Sequence, residues 1–189
     1  MIERQDAVTR RRVLAGVVGT ATVVALAGCQ GTDETADPVA LDGDESCDQC
    51  GMVIGQHPGP AGQTYYRENS PEGHDPPARF CSTTCTYRHR FANEQSGWTP
   101  DATYLTDYSV VDYEVRTDGG TAVISRHLDA ATFASSDDLT VVANSDVEGA
   151  MGPALVPFSE ESDAAAFAQE YGGETLAAES ISPELVGSM

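Results

Sequence analysis

The rhythm of apolar and polar positions changes several times along the 189-residue chain, and each change marks an element. Val13 to Ala27 is a nearly unbroken, small-residue-rich apolar run, shorter than the roughly 20 residues that a membrane-spanning helix needs. Gln30 to Glu45 is polar and acidic, interrupted by Pro38 and Gly43, and shows no sustained period, which predicts a disordered leash. Short β-prone runs follow at Met52-Val53-Ile54 and Gln63-Thr64-Tyr65-Tyr66, separated by a loop rich in glycine and proline. Glu68 to Ala78 carries Pro71, Gly73, Pro76 and Pro77, which excludes regular structure. Ser82 is a predicted N-cap for a helix running to about Asn93, on which Tyr87 and Phe91 share one face.

Beyond Gly97 the period shortens to that of strands. Thr103 to Val115 predicts one strand or two with a bulge, Thr117-Asp118-Gly119-Gly120 a tight turn, and Thr121 to Ser125 the returning strand. Leu139 to Ala143 and Ala154 to Phe158 are further strands, with a break at Met151-Gly152-Pro153 between them. Ser159 or Ser162 is the expected cap of a helix whose Ala164, Phe167 and Tyr171 form the buried stripe. Gly172-Gly173 ends that helix, and Thr175 to Ala178 closes the chain pattern as an edge strand. Each half therefore runs through two strands into a helix and out into a strand. The expected fold class is α+β, with two small related units at residues 46–116 and 117–189.

Charge and the amino terminus add an address. Thr9-Arg10-Arg11-Arg12-Val13-Leu14 ahead of the apolar run, and Leu26-Ala27-Gly28-Cys29 at its end, resemble a twin-arginine export signal joined to a lipobox. Residues 1–28 would be removed and Cys29 lipidated, leaving residues 29–45 as an acidic linker and the body anchored to the outer face of the cell membrane. An uncleaved amino-terminal anchor is the alternative. All ten basic residues are arginines, set against 30 acidic ones for a net charge of −20, so the basic footprint that nucleic acid requires is missing. This lysine-free composition resembles that of proteins from extreme halophiles, whose charged surface stays soluble at molar salt.

Once Cys29 is set aside, Cys47, Cys50, Cys81 and Cys85 remain as two close pairs of soft sulfur donors. Two disulfides would suit an exported protein, although Cys47 and Cys50 would close a strained small ring. A redox Cys-x2-Cys pair normally opens a helix, whereas Gly51 and a β-like run follow Cys50. Cys47-x2-Cys50 with Cys81-x3-Cys85 has the spacing of a closed zinc site, the favourite by spacing alone. Met52 and Met151 pull instead toward Cu(I): each flanks a glycine, and thioether favours Cu(I) while adding almost nothing to zinc binding. A lone methionine is more often core filler. His57 and His74 lie in loops near the cysteines but are more often solvated there, and His89 and His127 are assigned no role. No nucleophilic triad or phosphate loop is present, so no enzyme is expected beyond the redox pair.

Cys47-x2-Cys50-Gly51-Met52 behind a lipobox, with Ala150-Met151-Gly152-Pro153-Ala154-Leu155-Val156-Pro157-Phe158, a following helix and Tyr171-Gly172-Gly173, resembles the NosL family of lipoproteins over nearly all of the mature chain. The frame from Cys-Gly-Met to Phe80-Cys81-Ser82-x2-Cys85 is shared with short metal-binding modules of the YHS and TRASH type. The resemblance implies two ββαβ units and a membrane-anchored Cu(I) chaperone for the copper centres of nitrous-oxide reductase, acting with the ABC-type membrane complex that assembles them. It implies Cys50, Met52 and Met151 as copper ligands with Cys47 close by. Cys81 and Cys85 go beyond the minimal pattern of bacterial members and are open to copper, zinc or a disulfide. The rival expectation is a zinc-stabilised adaptor module with all four cysteines as ligands, tethered by lipid and carrying no copper.

Overall fold

β1 (Gly62–Tyr66) lies between β2 (Ala78–Phe80) and β3 (Pro100–Thr106), antiparallel to both, and α1 (Thr83–Glu94) connects β2 to β3. The computed structural model describes residues 35–189; the expected signal segment, Cys29 and residues 30–34 lie outside them. Helix α1 begins where expected, because the Ser82 Oγ accepts from the Cys85 N–H at 3.0 Å. It also lies close on β1, where any side chain at Gly62 would run into Thr86. Glu68 to Pro77 hold no strand or helix, in keeping with their prolines, but Ala78, the last residue of that expected irregular segment, opens β2, a strand the sequence did not predict.

β4 (Val115–Asp118) and β5 (Thr121–Ile124) form the expected hairpin around Gly119 and Gly120, both with positive φ. The expected long strand from Thr103 breaks after Thr106, because the Asp107 carboxylate draws the Ser109 N–H into a turn at 2.9 Å. β6 (Phe133–Ser135) then joins the first sheet beside β3, giving the order β2-β1-β3-β6. Thus a strand from beyond residue 116 completes the sheet of the first unit, and the expected division at 116/117 does not separate self-contained sheets.

β7 (Thr140–Ala143), β8 (Val147–Gly149), β9 (Gly152–Pro153), β10 (Val156–Phe158), α2 (Glu161–Tyr171) and β11 (Glu174–Ala177) make the second half, followed by α3 (Pro183–Gly187). β7 lies antiparallel between β10 and β11, and α2 connects those two, so β7-β10-α2-β11 repeats the ββαβ plan of β1-β2-α1-β3 with its first strand again central. β4-β5-β8-β9 form a small third sheet, to which β8 and β9 are contributed from between β7 and β10. The expected serine cap of α2 is not made: Glu160 is the N-cap without a side-chain bond. The Ser159 N–H donates instead to the buried Asp107 carboxylate at 2.9 Å, and Glu161 and Asp163 supply negative charge to the first turn.

Apolar burial welds these parts together. Tyr87 of α1 and Leu105 of β3 pack with Leu139, Val141, Leu155 and Ile181, so one core lies between the halves. A second core gathers Tyr108, Phe158, Phe167 and Val156, and each fully buried side chain such as Phe158 contributes about 1.5–3 kcal/mol. Among the described residues no helix is long and apolar enough to cross a membrane.

Residues 35–45 correct the expectation of a leash extending to Glu45. Leu41 is fully buried, its N–H donates to the Leu128 carbonyl at 2.9 Å, and the Gln63 side-chain amide bonds both the N–H and the carbonyl of Val39 at 2.9 Å. Tyr104 and Tyr65 hydroxyls hold the carbonyls of Ala36 and Asp37. An acidic composition concealed one apolar anchor and a buried amide. Gln63→Leu should lower folding stability by about 1–3 kcal/mol in denaturant titrations and open residues 35–41 to limited proteolysis.

Candidate metal centre

The Sγ atoms of Cys47, Cys50, Cys81 and Cys85 lie within 4.8 Å of one another. Three local structures converge to place them. Residues 46–53 fold back in a tight knuckle: the Cys47 N–H donates to the Met52 carbonyl and the Gly51 N–H to the Cys47 carbonyl, both at 2.8 Å, and Gly51 turns with φ of 77°. Met52-Val53-Ile54 is therefore not the expected strand; Val53 makes one bridge to Ser46, and Ile54–Gln56 is a 3-10 turn. Cys81 follows the end of β2, and Cys85 sits in the first turn of α1.

Asp48 clasps the knuckle to β2. Its Oδ2 accepts from the Arg79 N–H at 2.6 Å, its N–H donates to the Arg79 carbonyl at 2.9 Å, and its Oδ1 meets His74 Nε2 at 3.0 Å. This aspartate was not singled out by the sequence, although an acid between two cysteines with a β-strand to hold is the signal that would have found it. His74 thus serves the clasp and is not one of the four clustered donors.

None of the four forms a disulfide, with Cys50 Sγ 3.5 Å from Cys81 Sγ and Cys81 Sγ 3.8 Å from Cys85 Sγ, well beyond the disulfide bond length of about 2 Å. Cys47, Cys81 and Cys85 are buried, and Cys50 alone is exposed. The Cys81 and Cys85 thiols, with the backbone N–H groups of Cys81 and Cys50, donate to Cys47 and hold it far below the usual thiol range. Donation to that thiolate keeps the proton on Cys81, whose pKa is raised, and pushes Cys85 up to about 12. The cluster thereby concentrates negative charge on one sulfur at the positive end of α1.

Met52 and Met151 both pack, half-buried, against the core cluster that contains Cys47, Cys81 and Cys85. The expected break at Met151 is the tip of the β8–β9 hairpin. Its docking depends on Gly59: a Cβ there would lie 2.7 Å from the Gly149 Cα. Met151 then lines a crevice with Ser82, Thr83 and Thr84 at the start of α1. His89 belongs to another environment, an aromatic group in which its Nδ1 is 2.9 Å from the Tyr66 hydroxyl and its ring is 4.9 Å from that of Phe80. Burial lowers its pKa, and His127, also lowered by burial, stands edge-on to Tyr108 at 5.9 Å. His57 is half-buried and is not among the clustered donors.

A four-sulfur cluster held by a knuckle, a strand end and a helix start, on paired ββαβ units, could hold a soft metal ion. The chain belongs to the NosL family, whose model matches residues 38–186. It is 29% identical over 178 residues to the copper-binding lipoprotein NosL of Stutzerimonas stutzeri, covering 89% of this chain and 83% of that protein. The crystal structure of the copper chaperone NosL from Shewanella denitrificans is similar to it with a TM-score of 0.62 and 26% identity, covering 77% of this chain and 95% of that one.

The glycine docking contact has a direct test. Gly51 and Gly59 both have positive φ, but nothing lies within 4 Å of a Cβ on Gly51. Gly51→Ala should cost about 1 kcal/mol from backbone strain alone, whereas Gly59→Ala should cost clearly more in thermal melts because it also forces the hairpin away.

Proposed function

We propose that this protein is a Cu(I) chaperone, lipid-anchored through Cys29 outside the cell membrane after export by the twin-arginine route. It delivers copper to nitrous-oxide reductase with the membrane complex that assembles that enzyme's copper centres. The observation that carries the reading is the four-sulfur cluster with a single exposed member, flanked by two methionines of the same core. Membership of the NosL family and the names of its relatives, a copper-binding lipoprotein and a copper chaperone, support the cargo and the anchor.

Copper would be held by Cys47, Cys50 and Met52 from the first unit with Met151 from the second, and with Cys81 or Cys85 within reach of the same ion. Cu(I) accepts two or three soft ligands, so a cluster offering more sulfurs lets one depart without baring the ion. Cys50 is the departure point because it alone faces solvent. An acceptor thiol attacks the metal there, its proton passes to the Cys50 thiolate as the Cu–S bond breaks, and copper stays Cu(I) throughout. No catalytic step is involved.

One observation favours a second reading. A tetrahedral zinc ion with Zn–S bonds of about 2.3 Å sets sulfurs about 3.8 Å apart, close to the observed 3.5 and 3.8 Å. On that reading the four-cysteine site is structural, and the protein is an adaptor without copper cargo. Metal analysis after anaerobic reconstitution with Zn(II) and Cu(I) together separates the two. Copper in the cluster, bound with chelator-resistant affinity, is the expected result; one retained zinc and no copper uptake would make it the adaptor. In a Cu(I) competition titration, Met52→Ala with Met151→Ala should weaken binding at least about tenfold, and an unchanged affinity would remove the thioethers from the site.

A further inference from the structure

Beside the sulfur cluster opens a cleft of about 370 Å³ lined by Asp48, Pro71, Glu72, His89, Asn93 and Trp98. One wall belongs to the knuckle itself, since Asp48 lies between Cys47 and Cys50. The other wall is aromatic: Trp98 stands edge-on to Tyr66 at 5.0 Å, and Tyr66 bonds His89. The Asp48 carboxylate is pinned by the Arg79 N–H and His74. Glu72 is exposed and, among the described residues, has no ion-pair partner. No arginine lines the cleft. It therefore combines a carboxylate held by His74, a carboxylate without an ion-pair partner and an indole ring, with no arginine or lysine in its lining.

We propose that this cleft receives an arginine side chain of the protein that accepts the metal. A guanidinium pairs with carboxylates through a planar fork and stacks on aromatic rings, matching both walls at once. Docked there, the arginine holds its own chain next to Cys50, the exposed sulfur at the far end of the same knuckle. The net charge of −20 favours the approach of a basic partner over an acidic one. The identity of the partner as a metal acceptor rests on the chaperone reading; the specificity of the cleft for a guanidinium does not.

Trp98 is the chain's single tryptophan and reports directly on the cleft. The metal-loaded full chain is titrated with a tri-arginine peptide and with tri-citrulline, its uncharged isostere. A saturable change in tryptophan fluorescence with tri-arginine alone is expected, its midpoint raised at least about fivefold by Glu72→Gln and little changed by the charge-matched Asp118→Asn on the distant β4–β5 turn. An equal response to tri-citrulline, or equal weakening by Asp118→Asn, overturns the proposal. A second arm follows Cu(I) transfer to an Arg-Gly-Gly-Cys peptide against its citrulline counterpart. The arginine peptide should react faster, Glu72→Gln should abolish that advantage, and loss of copper to a small chelator should be unaffected by the substitution. Equal rates for the two peptides overturn the docking role. If no copper is carried the second arm fails together with the chaperone reading, while the fluorescence arm still decides the cleft.

Discussion

Four sulfurs within 4.8 Å of one another cannot all carry negative charge unless a cation sits among them. The remaining structure answers that constraint. Without a metal ion one thiolate, Cys47, takes the hydrogen bonds of its neighbours, while Cys81 and Cys85 keep their protons. A soft cation bound there would replace those protons and relieve the repulsion. The cluster also has to be closed from three directions, so the knuckle, the end of β2 and the capped start of α1 meet at one point, with Asp48 holding the first against the second.

The second half is joined to this centre by contacts that leave little slack. Asp107, buried at the end of β3, accepts from both Ser109 and Ser159, while the Tyr108 N–H donates to the Pro157 carbonyl at 3.0 Å. On the opposite side the Tyr87 hydroxyl donates to the Ala178 carbonyl at 3.1 Å, and Arg88 reaches the carbonyls of Val186 and Met189. Gly59 against Gly149 adds a backbone contact that no side chain at position 59 could allow. The ββαβ repeat is thus a plan used twice within one fused body, with β6 crossing from one half's sequence into the other's sheet.

Much of this was legible in the sequence because the signals were local. Ser82 before an amphipathic run, Gly119-Gly120 between alternating strands and Gly172 after Tyr171 each fix an element through short-range backbone chemistry. The cysteine spacings likewise foretold a four-sulfur group. What escaped depended on partners far along the chain. Val39 is ordered by Gln63, the start of α2 is held by Asp107, and Ile54 is turned into a 3-10 helix by a knuckle whose N–H groups point inward. The third sheet was invisible for the same reason, since β5 pairs in parallel with β8 across two intervening strands, β6 and β7, of two other sheets. Trp98 and His89 carried no local pattern that placed them beside Asp48; only the packing of α1 against β1 and β2 does so.

Helix α1 has a property that its position alone confers. Its first turn carries a cluster sulfur and the Ser82 cap that orders it, and its middle carries Tyr87 and Arg88, which grip the second half. An ion bound to the cluster would, by ordering that first turn, also favour the grip one turn further on. Thermodynamic linkage makes the relation mutual: whatever firms the seam between α1 and the second half raises affinity for the ion, by the same factor that the ion firms the seam. Molecules with and without an ion would then differ in stiffness at the seam made by Tyr87 and Arg88.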